Sequence, residues 1–149
     1  MIRFLYNLYL AFIAAPILLV ATVLCACITI IGSAIGGTHF WGYWPGKIWC
    51  RVVLAMLLIP VHVEGREKVH KRTSYVFVPN HQGAFDIFLV YGYLERNFKW
   101  MMKKSLRKIP FVGKASESGG HVFVDKSSPT KIKQTIDKAK ASLVDGVSL

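Results

Sequence analysis

Asn80-His81-Gln82-Gly83-Ala84-Phe85-Asp86 joins two apolar runs, Tyr75-Val76-Phe77-Val78-Pro79 before it and Ile87-Phe88-Leu89-Val90-Tyr91 after it. The first run is short, β-branched and aromatic, and it stops at a proline, which is the pattern of a buried strand. The second has helical length and ends near Glu95-Arg96-Asn97. A strand, a tight polar turn and a helix N-terminus is where α/β proteins place their chemistry.

Spacing decides how this turn can work. On one helix His81 and Asp86 would be five steps of about 100° apart, roughly 140° around the axis, and would face different ways. With the helix starting near Gly83, His81 lies in the turn above it and Asp86 in its first turn. The carboxylate can then reach back to one imidazole nitrogen, fix the tautomer and leave the other nitrogen as a base. No Ser or Cys nucleophile adjoins the pair, so the base would act on a hydroxyl of the substrate itself. The plainer alternative is a helix cap with an incidental histidine.

Composition limits the setting. The chain has 149 residues, room for one domain, and a formal net charge of +11. From Phe4 to Gly46 there is no Asp, Glu, Lys or Arg. A long apolar segment in a basic protein points to a membrane with anionic lipids before it points to nucleic acid. The basic residues also lack the aromatic interleaving of a nucleic-acid surface. Phe4 to about Ile31 exceeds the roughly 20 residues needed to cross a bilayer core. Pro16 is expected to kink that helix. The segment is longer than the 7–15 apolar residues of a signal peptide, so a retained anchor is favoured. Cys25, Cys27 and Cys50 all lie in apolar sequence, an odd count that argues against a disulfide framework and reads as small hydrophobes rather than metal ligands.

Downstream, Gly32 to Gly46 is a turn region with His39, Phe40, Trp41, Tyr43 and Trp44, suited to a membrane–water interface. Pro45 opens a second, shorter helix to about Ile59, expected to lie in the interface or dip into one leaflet. Val61 to Gly65 reads as a first strand, Glu67 to Thr73 as a turn, and His62 and His70 as surface histidines. Phe98 to Met102 and Val122 to Val124 are further strand candidates, with a basic stretch and a short helix through Ser118 between them. Ser128-Pro129 starts a helix with Ile132, Ile136, Ala139 and Leu143 on its inward face. Val147-Ser148-Leu149 begins another strand. The alternation predicts an α/β fold with a mainly parallel sheet.

Three segments carry a specific resemblance. Asn80-His81-x-x-x-x-Asp86 resembles the first motif of the glycerolipid acyltransferases, the family of 1-acylglycerol-3-phosphate acyltransferase. Lys103-Lys104-Ser105-Leu106-Arg107-Lys108-Ile109-Pro110-Phe111-Val112-Gly113 resembles the family's segment between its first and second motifs. Gly120-His121-Val122-Phe123-Val124-Asp125-Lys126 resembles its second motif, whose last position is usually Arg. The likeness covers about Val61 to Leu149.

The resemblance implies a membrane-anchoring helical segment over residues 1–60 and the N-terminal part of an α/β acyltransferase domain over 61–149. It implies transfer of a fatty acyl group from a thioester, acyl-CoA or an acyl-carrier protein, to the hydroxyl of lysophosphatidic acid, giving phosphatidic acid. His81 would be the base and Asp86 its orienter. Asn80 and Gly83 would line the substrate, with N–H groups around Gly83 holding the oxyanion. Lys103, Lys104 and above all Lys126 would meet the acceptor phosphate as point charges. Lys99, Arg107, Lys108 and Lys114 are expected against anionic lipid. No metal or organic cofactor is implied. The positive-inside rule puts the catalytic part on the cytoplasmic face. The family's third motif, Phe-Pro-Glu-Gly-Thr-Arg, would follow Leu149 and is not in the chain, so the expectation is a truncated piece of a longer enzyme with an exposed sheet edge. The alternatives are an acyltransferase for another lysolipid and an inactive membrane-bound remnant.

Overall fold

The computed structural model describes all residues except 71, 81, 144 and 145. The apolar N-terminus forms one helix, Ile2–Ile35, of 34 residues, long and apolar enough to cross a membrane. Only 11% of its most apolar window is buried. A core helix of a soluble domain would be mostly covered, so Phe4, Phe12, Leu19 and Ile31 are exposed apolar surface of the kind a bilayer covers. Pro16 acts on the ladder before it: the turn Leu10–Ala14 is π-helical. A proline has no N–H to donate and its ring crowds the preceding turn, so the helix widens there. Gly36 and Gly37, with φ of 115° and 80°, end the helix in backbone that a Cβ would strain. The short helix Thr38–Trp41 follows. Trp41 folds back onto Gly32, where a Cβ would stand 2.4 Å from its ring.

The second helix is Trp44–Met56, with Pro45 in its first turn. It stops short of the expected Ile59 because the chain turns at Leu58, at φ 57°. It runs antiparallel to the long helix. Trp49 Nε1 donates to Thr22 Oγ1 at 2.9 Å, and the Tyr9 and Tyr6 hydroxyls donate to the carbonyls of Met56 and Leu57 at 2.9 and 3.0 Å. In apolar surroundings an unmade bond of this kind costs several kcal/mol, so these three fix the register.

The other side of Trp44–Met56 packs on helix Ala84–Tyr93. Tyr43, Cys50, Tyr91 and Phe98 form the core cluster, and the Tyr91 hydroxyl donates to the Gly42 carbonyl at 2.9 Å. Gly46 permits this approach, since a Cβ there would lie 2.6 Å from Tyr91 Cε1. The core therefore joins residues from both sides of position 60. Each fully buried apolar side chain, such as Leu54, contributes about 1.5–3 kcal/mol.

The sheet is parallel. Strands β1, Met101–Lys103, and β2, Val122–Val124, pair in register from Met101 with Val122 to Lys103 with Val124. Phe98 pairs in parallel with Ser148, through Lys99 N to Ser148 O (2.8 Å) and Ser148 N to Asn97 O (2.9 Å). Leu149 in turn donates to Tyr75 O (2.9 Å) and accepts from Phe77 N (2.7 Å). The spatial order is 75–77, 148–149, 98–103, 122–124. This corrects the expected exposed edge beyond Val147–Leu149, because Val147 and Ser148 are buried between two neighbours.

Other expectations change as well. Tyr75–Pro79 is extended but only half covered, with Val76 and Val78 exposed and Tyr75 and Phe77 turned inward. Period-two alternation outweighs the apolar run there. Val61 to Gly65 joins no ladder, and Arg66–Lys68 is a single 3-10 turn. Lys104–Lys108 is 3-10, followed by helix Val112–Ser118. Helix Pro129–Ala141 is capped by Ser128 Oγ, which accepts from Lys131 N at 3.3 Å. Its inward face is Thr135 and Ala139, while Ile132 and Ile136 are exposed. Thr135 can be buried because its hydroxyl donates to Lys131 O at 2.8 Å.

Candidate active site

Parallel strands end on one edge, and ligands of open α/β sheets bind at that carboxyl edge. Here it carries the segment to Asp86 after Tyr75–Pro79, Lys103 at the end of β1 with Lys104 after it, and Asp125 and Lys126 after β2. The topology thus brings the sequence-derived site segments to one edge.

Asp86 sits in the first turn of helix Ala84–Tyr93 and bends back over the loop. Its Oδ2 accepts the N–H groups of Gln82 at 2.6 Å and Gly83 at 2.9 Å, and its own N–H donates to Gly83 O at 3.2 Å. A carboxylate here satisfies donors that have no intrahelical acceptor and meets the positive end of the helix dipole. Asp86 therefore reaches back to the backbone of Gln82 and Gly83. His81 lies outside the described residues, so the His81–Asp86 pairing does too. The Gly83 N–H, read as an oxyanion donor, is engaged by Asp86. Gly83 is extended and exposed, with open space where a Cβ would go. Asn80 is exposed beside the turn.

The lysines separate. Lys104 Nζ is bound to Asp125 Oδ2 at 2.7 Å, with Lys131 Nζ at 3.7 Å from the same oxygen. Asp125 Oδ1 accepts from Ser127 N at 3.0 Å, so this carboxylate orients the turn after β2. The Lys104 ammonium, then Ser127, hold it well below the usual carboxylate range. Lys103 and Lys126 are exposed, without an ion pair among the described residues. Of the cations expected on lipid, Lys99 is instead buried. It donates to Gly119 O at 2.8 Å, and burial pulls its pKa down to about 8. Arg107 is taken by Glu117, while Lys108 and Lys114 remain exposed. His121 is buried, accepts Trp100 N at Nδ1 (3.1 Å) and is held neutral, its pKa lowered to about 3 by burial and then by Lys99.

Sequence reasoning missed an apolar cavity of about 280 Å³ between the long helix and the sheet. Cys25 and Ala26 of the long helix, Trp49 and Cys50 of the second, and Ile87 and Phe88 directly after Asp86 are among its walls. Its size is near the lower end of ligand pockets, about 300 Å³. The signal was a helix apolar on every side, Ile87 to Tyr91, beginning one residue past the polar turn. Among the described residues, no three His, Cys, Asp or Glu side chains are grouped to hold a metal.

With the site at the carboxyl edge of a parallel sheet and an apolar cavity behind it, the comparisons with known proteins agree on the class. The family model for acyltransferases matches residues 60–148, and the chain belongs to that family. The resemblance to 1-acylglycerol-3-phosphate acyltransferases read from the motifs is borne out by relatives carrying that description. One, from Saccharomyces cerevisiae, is 29% identical over 110 residues, 74% of this chain and 36% of the relative. Another, from Helicobacter pylori, is 32% identical over 68 residues, 46% and 29% of the two chains. An uncharacterized acyltransferase of Schizosaccharomyces pombe is 30% identical over 97 residues, 65% and 35%. The chain spans about a third of the length of these curated relatives. No solved structure matches it.

Proposed function

We propose that the protein is a membrane-bound acyltransferase that moves a fatty acyl group from a thioester, acyl-CoA or an acyl-carrier protein, to the free hydroxyl of 1-acylglycerol 3-phosphate. The observation that carries this reading is the Asp86 carboxylate folded back onto the N–H groups of Gln82 and Gly83, with the next residues, Ile87 and Phe88, in the wall of the apolar cavity. His81 takes the hydroxyl proton as the oxygen attacks the thioester carbonyl. Asp86 holds the imidazole and stabilises its cation. The C–S bond then breaks, and the leaving thiolate collects the proton from His81. With the Gly83 N–H engaged, the oxyanion falls to the N–H groups of Ala84 and Phe85, which begin the helix and have no intrahelical acceptor.

The cavity suits an acyl chain, and the exposed Lys103 and Lys126, with Asn80 at the turn, suit the acceptor phosphate. Lys104 is occupied by Asp125 and would act through that pair. No metal or organic cofactor enters the scheme. The long helix supports a membrane location, and the excess of basic residues after it supports a cytoplasmic face for the site.

The test is release of free thiol from an acyl thioester by membranes carrying the full-length natural protein, with and without lysophosphatidic acid. Acceptor-dependent release that disappears in His81→Ala supports the scheme. Release that survives His81→Ala, or none in the wild type with any lysolipid, sinks it.

A further inference from the structure

A second polar site lies at the opposite, amino-terminal end of the sheet. It is an open cavity of about 900 Å³ that includes Tyr43, Lys47, Arg66, Arg96 and Asn97 in its walls. Asn97 and Gly146 begin two of the parallel strands, so this is the end away from Asp86. From Asp86 to Tyr93, two residues before the cavity-lining Glu95, the helix rises about 10 Å.

The side chains are buried yet incompletely bonded. Tyr43, Lys47 and Arg96 are only 4%, 6% and 7% exposed. Five buried side-chain polar atoms among the described residues lack a partner, and four of them, Tyr43 Oη, Arg66 Nε, Arg96 Nε and Asn97 Oδ1, belong to walls of this one cavity. Three of the four, Tyr43 Oη, Arg66 Nε and Arg96 Nε, are donors; a buried donor left unmade costs about 1–3 kcal/mol, so their clustering marks a place where a ligand supplies the missing acceptors.

Charge says which ligand. Glu95 is already shared by Lys47 (3.9 Å), Arg51 (2.9 Å) and Arg66 (3.7 Å), and Glu67 is the other carboxylate of the wall. In the wall itself Lys47, Arg66 and Arg96 stand against Glu95 and Glu67, so positive charge is in surplus by one, with Arg51 also on Glu95 from outside the wall. The buried Arg96 and the partly exposed Arg66 are both held by backbone: Arg66 Nη2 donates to Tyr93 O at 2.9 Å, and Arg96 donates to the carbonyls of Glu95 and Val69. Fixed guanidinium donors and a phenol hydroxyl suit the oxygens of a phosphate. Tyr43, Trp44 and Lys47 follow the short helix Thr38–Trp41 that comes after the membrane-length helix, near the exposed Phe40 and Trp41, an aromatic setting that suits headgroup depth.

We propose that this cavity binds the phosphate of an anionic membrane phospholipid as a second site, separate from the acyl-transfer site. The test titrates the full-length protein in detergent micelles with dihexanoyl phosphatidylglycerol, which is neither acceptor nor product of the proposed reaction. Dihexanoyl phosphatidylcholine and inorganic phosphate are the comparison probes. The expected result is saturable phosphatidylglycerol binding without saturable phosphatidylcholine binding. Affinity should fall about tenfold in Arg66→Gln, recover in Arg66→Lys, and fall about threefold to tenfold in Tyr43→Phe. Tyr43→Phe is the sharpest variant, because its hydroxyl has no partner within the protein and a purely structural role predicts no loss. Binding that is unchanged in Tyr43→Phe and Arg66→Gln overturns the site. Inorganic phosphate displacing the lipid at equal or lower concentration keeps the phosphate site and overturns the lipid as its source. Unchanged binding in His81→Ala keeps this result separate from that of the acyl-transfer reading.

Discussion

The two ends of the parallel sheet are built in opposite ways. At the carboxyl end the half-buried carboxylates are held by backbone, Asp86 capping its helix and Asp125 ordering a turn, while the exposed Lys103 and Lys126 reach outward. At the amino end Tyr43, Lys47 and Arg96 are buried, and Tyr43, Arg66 and Arg96 leave donors unmade. The carboxyl end is recognisable from a linear motif and modest in its packing. The amino end has no motif and is recognisable only from its unsatisfied burial. A site whose residues are local in the chain can be read from spacing, whereas one assembled from residues 39 to 146 has to be seen folded.

The contrast can be broken most sharply at His81. His81→Ala should lower acceptor-dependent thiol release by about 10²–10⁴-fold, the range of a positioned general base, and leave phosphatidylglycerol binding at the other end unchanged. Loss of both activities would show that the two ends are not independent.

Asp86 separates cap from catalyst. Asp86→Ala should cost about 1 kcal/mol of stability as a lost helix cap, read from thermal unfolding in micelles. Asp86→Asn should keep more of that stability, because the amide oxygen still accepts an N–H bond. If Asp86 orients His81, Asn should nonetheless remove most of the activity. Asn with near-normal thiol release would reduce Asp86 to a cap.

The start of β2 should respond to acid. His121 is neutral in the fold at a pKa of about 3 and titrates near 6.5 when unfolded. The unfolded chain then binds the extra proton, so this contribution to stability is complete above about pH 6.5 and falls as the pH drops toward 3, by at most about 1.4 kcal/mol per unit. Melting curves from pH 7.5 to 5 should show that slope, and His121→Gln, which keeps an acceptor for Trp100 N, should flatten it.

The smallest effect concerns the cavity. Ala26→Leu narrows it from the long helix and should shift the preferred acyl donor toward shorter chains, about tenfold in the ratio of long-chain to short-chain rates. An unchanged chain-length profile would place the acyl chain elsewhere.

Much of this was legible in the sequence because the signals are local. Phe4 to Gly46 without a charge gives a membrane-length helix, Pro45 and Ser128-Pro129 mark helix starts, and Val122 to Val124 is a strand where expected. The Asn80–Asp86 spacing located the turn because a cap needs only neighbours three or four residues away. Tertiary structure decided what depends on distant partners. It made Lys99 a buried donor to Gly119, put Thr135 inside and Ile136 outside, and seated Val147 to Leu149 between two strands. It also gathered Tyr43, Lys47, Arg66 and Arg96 around one cavity. The physical reason is that hydropathy and capping act over a few residues of chain. Burial, the charge surplus of a pocket and the satisfaction of a hydrogen bond are sums over whatever the fold brings near, and no local pattern encodes them.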